Sequence, residues 1–167
     1  MGGALACWGN NYEDRCTPPA GVFEHVAAGL LHSCAVNADD HAVYCWGNDN
    51  WGQASPPAGM GPSLKIATGA QHSCSLQADQ TIVCWGSNEN GQVSSPAGKF
   101  VQVTAGYFHS CGVREDLRLE CWGGSGASSY INVPYLLANG TYWDDAAAKW
   151  TPEPFRKAIQ GSEHWNY

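Results

Sequence analysis

Basic residues are scarce in this sequence. Eight lysines and arginines stand against fifteen aspartates and glutamates in 167 residues, and the resulting charge of −7 is spread without a basic stripe. The attraction to phosphate that dominates nucleic-acid binding has no source here, so DNA and RNA are excluded as partners. Long apolar runs are missing as well. None approaches the roughly 20 residues that a membrane-crossing helix needs, and no membrane span is expected. The opening Met1-Gly2-Gly3-Ala4-Leu5-Ala6 is too short for a secretory leader. Charged residues make up only 14% of the chain, and with 44% hydrophobic residues this is not a disordered composition.

What the chain has in plenty is glycine (20), tryptophan (8), tyrosine (7) and cysteine (8), a balance suited to a β-rich, turn-rich extracellular protein. Its length predicts a single structural unit. An even set of regularly spaced cysteines reads as a disulfide framework formed in an oxidising compartment. That conflicts with the missing leader. The conflict resolves if the sequence is a mature fragment, a piece of a longer polypeptide or an incomplete gene model, since it opens in the middle of a repeat. Asn139-Gly140-Thr141 fits the N-glycosylation pattern and points outward too.

Self-similarity decides the fold class. Cys-Trp-Gly occurs four times, at Cys7-Trp8-Gly9, Cys45-Trp46-Gly47, Cys84-Trp85-Gly86 and Cys121-Trp122-Gly123, at intervals of 38, 39 and 37 residues. The last three copies are preceded by His32-Ser33-Cys34, His72-Ser73-Cys74 and His109-Ser110-Cys111, each following Gly29, Gly69 or Gly106 at a fixed offset. Gly52-Gln53 and Gly91-Gln92 occupy matching places downstream. One unit reads as strands over 100–105, 109–113 and 117–122, with a fourth expected after Gly-Gln. Four short strands in such a period match one blade of a β-propeller, which buries its faces against neighbouring blades.

Taken together, Ala-Gly-x-x-His-Ser-Cys, Cys-Trp-Gly and Asn-x-x-Gly-Gln make residues 1 to about 123 resemble the repeats of the regulator of chromosome condensation family. The resemblance is to its cysteine-paired extracellular variety, found in ectodomains of crinkly-type receptor kinases and in algal flagellar-hair (mastigoneme) proteins. It implies an all-β, partial β-propeller of about three and a half four-stranded blades: a partial unit at 1–21, then 22–59, 60–98 and 99–124. Such proteins share a fold and not one function. Closed propellers of the family usually have seven blades, so an open arc needs a partner to cover its bare faces and edges. The segment 125–167 is a candidate capping or docking tail. In it, Trp143 to Ala148 resembles Phe100 to Ala105 as a degenerate strand, Glu153 to Gln160 is a candidate helix, and Trp143, Trp150, Trp165 and Tyr167 offer aromatic contact surface. The competing reading is a loosely packed terminus.

Within each full repeat the cysteines lie 10 or 11 residues apart, a spacing that a hairpin brings face to face within reach of a disulfide. The pairs expected are Cys34 with Cys45, Cys74 with Cys84, and Cys111 with Cys121. Cys16 falls where other repeats have Ala54 and Val93, and Cys7 is paired with it; a bond from Cys7 to another chain or to a missing upstream segment is the alternative. The His-Ser-Cys spacing does not supply the paired ligands of a zinc site, and no EF-hand loop is present. Neither a metal nor a cofactor is expected.

Histidines beside serines invite a hydrolase reading. A residue that recurs at the same place in every blade is better explained as a structural fixture, and the chain is read as not an enzyme. Asp39-Asp40 and Glu115-Asp116 sit in turns that favour acidic residues. The repeated tryptophans are expected between blades, which leaves Trp51 as the better surface contact. The leading function is an extracellular or cell-surface structural or adhesive subunit. It would assemble with further copies or other proteins through blades and tail, as in a surface filament or flagellar-hair-like assembly. The alternative is a secreted or ectodomain recognition module that binds a protein or glycan through propeller loops.

Overall fold

The computed structural model describes residues 2–124 and the backbones of residues 141–144 and 149–152. Three antiparallel sheets follow one another along the chain. The first holds β1 (Phe23–Ala28), β2 (His32–Asn37) and β3 (Val43–Gly47). The second holds β4 (Ser63–Thr68), β5 (His72–Gln77) and β6 (Ile82–Gly86). The third holds β7 (Phe100–Ala105), β8 (His109–Arg114) and β9 (Leu119–Gly123). A separate compact unit begins at Ser128 and includes a two-stranded hairpin of β10 (Thr141–Asp144) and β11 (Lys149–Pro152). Among the described residues no helix is long and apolar enough to cross a membrane.

Each sheet has three strands where four were expected. The stretch after Gly-Gln makes turns instead of pairing, and its composition explains why. Pro56 and Pro57 in one repeat and Pro96 in the next carry no N–H to enter a ladder. Of the degenerate strand expected from Trp143 to Ala148, Trp143 and Asp144 lie in β10 and residues 145–148 lie outside the described residues. The candidate helix at 153–160, together with Asn139, Trp165 and Tyr167, lies outside the described residues.

The repeat is copied down to its irregularities. A bulge interrupts the first ladder at the same place in all three sheets, at Phe23/His25, Ser63/Lys65 and Phe100/Gln102. In the turn between second and third strands, the carboxylates of Asp40, Asp79 and Asp116 accept from the N–H of Ala42, Thr81 and Arg118. The residue after each aspartate has positive φ, at 56°, 70° and 67°. Turn geometry accounts for these acidic residues. The Gly29 and Gly69 positions answer to close approach: a Cβ at Gly29 would lie 2.5 Å from the Gly69 carbonyl oxygen, and one at Gly69 just as near that of Gly106. Hairpin tips of successive sheets therefore touch backbone to backbone, and Leu30 N–H donates to the Gly69 carbonyl.

The core lies between sheets rather than inside them. Cys34 and Val36 of the first sheet bury Ile66 and Trp85 of the second. Cys74, Leu76 and Ile82 of the second close on Phe100 of the third, with Val103 and Trp122 packed alongside. The middle sheet thus supplies half of each of two cores, as stacking repeats do.

Candidate interaction surface

The structure bonds Cys34 to Cys45, Cys74 to Cys84 and Cys111 to Cys121, each with Cα atoms 4.0 Å apart, and Cys7 to Cys16 at 5.3 Å. The three hairpin pairs face each other directly across the second ladder. The flanking bonds, such as Asn48 N–H to Leu31 and Asn37 N–H to Ala42, place Cys34 and Cys45 at a non-hydrogen-bonded register position, where side chains approach most closely. No free cysteine remains.

The His-Ser-Cys triplets are seam fittings. Ser73 Oγ donates to the Gln53 carbonyl at 2.9 Å, and Ser110 Oγ donates to that of Gln92 at 3.0 Å. With their only proton committed, these hydroxyls accept from imidazole N–H groups. His32 Nε2 donates to Ser73 Oγ and His72 Nε2 to Ser110 Oγ, both at 2.8 Å. The serine beside each histidine in sequence is therefore not its partner; the next blade's serine is. The same carbonyls take the repeated tryptophans, Trp85 Nε1 on Gln53 and Trp122 Nε1 on Gln92, each at 3.0 Å. Gln53 and Gln92 are fully buried, and their side chains brace the loop by accepting from Trp51 N–H and Asn90 N–H.

Catalysis does not suit this geometry. His32, His72, Ser73 and Ser110 are fully buried, so no substrate reaches the hydroxyls, and each hydroxyl is tied to a backbone carbonyl. The other imidazole nitrogen, Nδ1 of His32 and of His72, is buried without a partner. Protonating it would bury an uncompensated charge, and burial pushes both imidazoles down to about 4. For His72 the neighbouring histidines add to the effect. Among the described residues no three histidine, cysteine or acidic side chains converge as a metal site.

Of the residues expected to make contacts, Trp51 is 44% exposed. Trp143 and Trp150 are register partners in the β10–β11 hairpin. One expectation needs correcting: Trp8 does not pack between blades as Trp85 does, but is 86% exposed. With Leu5, Val26, Ala28, Ser33 and Trp46 it lines a largely apolar cavity of about 410 Å³ on the outer face of the first sheet. Sequence reasoning missed this cavity. Its signal was the partial first repeat. A second patch is aromatic: Tyr107 and Phe108, at the tip of the third sheet's first hairpin, are exposed and meet edge to face with centroids 4.3 Å apart.

Residues 23–53 and 64–92, the first two blades with the loops that brace them, match the regulator of chromosome condensation (RCC1) repeat. These two blades are RCC1 repeats. The CRINKLY WD40 ectodomain of the Arabidopsis thaliana receptor kinase ACR4 is similar, at 28% identity over 65% of this chain and 40% of that one, with a TM-score of 0.55. The ectodomain of the Physcomitrella patens receptor kinase CR4 is 32% identical over 62% of this chain and 32% of its own, with a TM-score of 0.51. Prp20p of Saccharomyces cerevisiae, 19% identical over 70% of this chain and 40% of that one at a TM-score of 0.60, shares the fold alone. The chain spans 40% or less of the length of these ectodomains. No curated protein matches it in sequence. RCC1 repeats folded in this way, stapled by disulfides and with seams closed by buried histidines, form a protein-interaction module.

Proposed function

We propose that this RCC1-repeat chain is an extracellular or cell-surface structural subunit that assembles with further copies or other proteins through its blades and tail. A surface filament or flagellar-hair-like array is the assembly it suits. One observation carries the reading. Val26 is 53% exposed, whereas its counterpart Ile66, covered by the preceding blade, is 2% exposed. The face that is sealed between blades at Ile66 is open at Val26, and burying it is favourable by roughly 25 cal/mol per Å² of apolar area. Four disulfides, and similarity to receptor ectodomains, support the extracellular setting.

Native mass spectrometry of the unreduced protein from its natural source tests the proposal. Complexes of several copies, each chain lighter by the eight hydrogens of four disulfides, are expected. A monomer with free thiols would overturn both the assembly and the location. The exposed Tyr107–Phe108 pair favours a second reading, recognition of a protein or glycan at the hairpin tips. In that case a Tyr107→Ala/Phe108→Ala variant loses ligand while assembly is untouched.

A further inference from the structure

The staples of the first two blades each join sulfurs in unlike surroundings. Cys34 and Cys74 stand on β2 and β5, the middle strands of their sheets, and are fully buried. Their partners Cys45 and Cys84 stand on β3 and β6, the edge strands, and are only partly buried against the same cores. No strand pairs with β3 or β6 on its outer side. What reaches the edge of β6 is a side chain, with Ser95 Oγ donating to the Ile82 carbonyl at 2.9 Å. Thiol–disulfide exchange makes this difference matter. The attacking thiolate approaches along the line of the S–S bond, from behind the sulfur it strikes, and the far sulfur departs with the electron pair. Behind Cys34 and Cys74 lie the first strand of the sheet and the packing of the next blade, Ile66 and Trp85 in one case and Phe100 in the other. Behind Cys45 and Cys84 lies the open edge.

The buried sulfur also has somewhere to go. Cys34 Sγ lies 3.6 Å from Ser73 Oγ, and Cys74 Sγ lies 3.3 Å from Ser110 Oγ. Each serine spends its proton on a glutamine carbonyl and one lone pair on a histidine N–H. A hydroxyl oxygen has two lone pairs, so one is left over with the sulfur in reach. In the stapled chain that sulfur has no proton to give. Once the staple opens it becomes a thiol, and its S–H donates to the serine of the next blade. The departing group is thus received neutral and hydrogen-bonded, and neither His32 nor His72 loses its acceptor.

We infer that Cys45 and Cys84 are sites of S-thiolation, at which a low-molecular-weight thiol of the glutathione type exchanges with the staple. The step balances without an oxidant or a reductant. The thiolate RS⁻ attacks Cys84 Sγ, the new S–S bond forms and the Cys74–Cys84 bond breaks. Cys74 leaves with the electron pair and takes up the proton that the incoming thiol gave up. One disulfide is consumed and one is made. Cys45 and Cys34 follow the same course. The seam's hydrogen bonds persist through the exchange, so the blades stay stacked. The added group then sits on the outer edge, where it blocks any further strand from pairing with β3 or β6.

The full-length disulfide-bonded chain tests this without any substitution. It is incubated with excess reduced glutathione at mildly alkaline pH, quenched in acid, digested with pepsin and mapped by mass spectrometry without reduction. Glutathione is expected on Cys45 and Cys84, with Cys34 and Cys74 as the free thiols, at least about tenfold over the reverse arrangement. Equal occupancy of the two positions, or an excess on Cys34 and Cys74, overturns the inference. So does a chain that takes no glutathione under conditions where its urea-unfolded form reacts fully. Two variants read accessibility separately. Cys74→Ala leaves the Cys84 thiol alone, and Cys84→Ala leaves the Cys74 thiol alone. With glutathione disulfide the first is expected to be thiolated about a hundredfold faster than the second. Comparable rates, in variants whose histidine seams remain closed by hydrogen exchange, count against the edge cysteine as the site.

Discussion

Val26 and Ile66 occupy the same place in consecutive RCC1 repeats, yet one is half exposed and the other sealed. Their sheets have the same strands, the same bulge and the same staple; what differs is whether a blade stands in front. The stability of a residue in this fold is thus set by the seam it belongs to and not by its own blade.

Substitutions at paired positions should expose that asymmetry. Among single substitutions the largest effect is expected at Ile66→Ala, which empties a buried site and should cost about 3–4 kcal/mol in urea unfolding, against less than about 0.5 kcal/mol for Val26→Ala. Equal losses would mean that the first face is covered after all. Acid should act next. His32 and His72 stay neutral in the fold down to about 4, while the unfolded chain takes up protons from about 6.5. Stability therefore falls as pH drops from 6.5 and levels off below 4, by roughly 3 kcal/mol per histidine. His32→Gln/His72→Gln should flatten that part of the pH profile. Ser73→Ala, which strands the buried His32 N–H, should cost about 2 kcal/mol, and Ser33→Ala, with no histidine upon it among the described residues, about half as much. Trp85→Phe removes the indole bond to Gln53 at about 1 kcal/mol in the same unfolding assay, with its ring packing largely retained.

Much of this was legible in the residues. Recurring Cys-Trp-Gly and His-Ser-Cys set the period, and the alternation between them placed the hairpins. Two things were not. The strand count depended on Pro56, Pro57 and Pro96, whose missing N–H groups were visible but outweighed by the usual four-stranded blade. The histidine's partner was hidden because a serine stands next to it in sequence, while the serine it bonds is 38 or 41 residues away. Pairings within a blade follow from local spacing. Pairings across a seam follow from how blades stack, which no spacing encodes.

The staples all close within their own units, and none crosses a seam. Under a pulling force on the two ends, the blades should part from one another first, because seams are held by packing and hydrogen bonds while the β2–β3, β5–β6 and β8–β9 hairpins are locked covalently. Every unfolding step would then release less length than its residues allow, by the 10 or 11 positions a staple withholds. A filament of such subunits would yield under load in short, recoverable increments and would turn slack only when reduced.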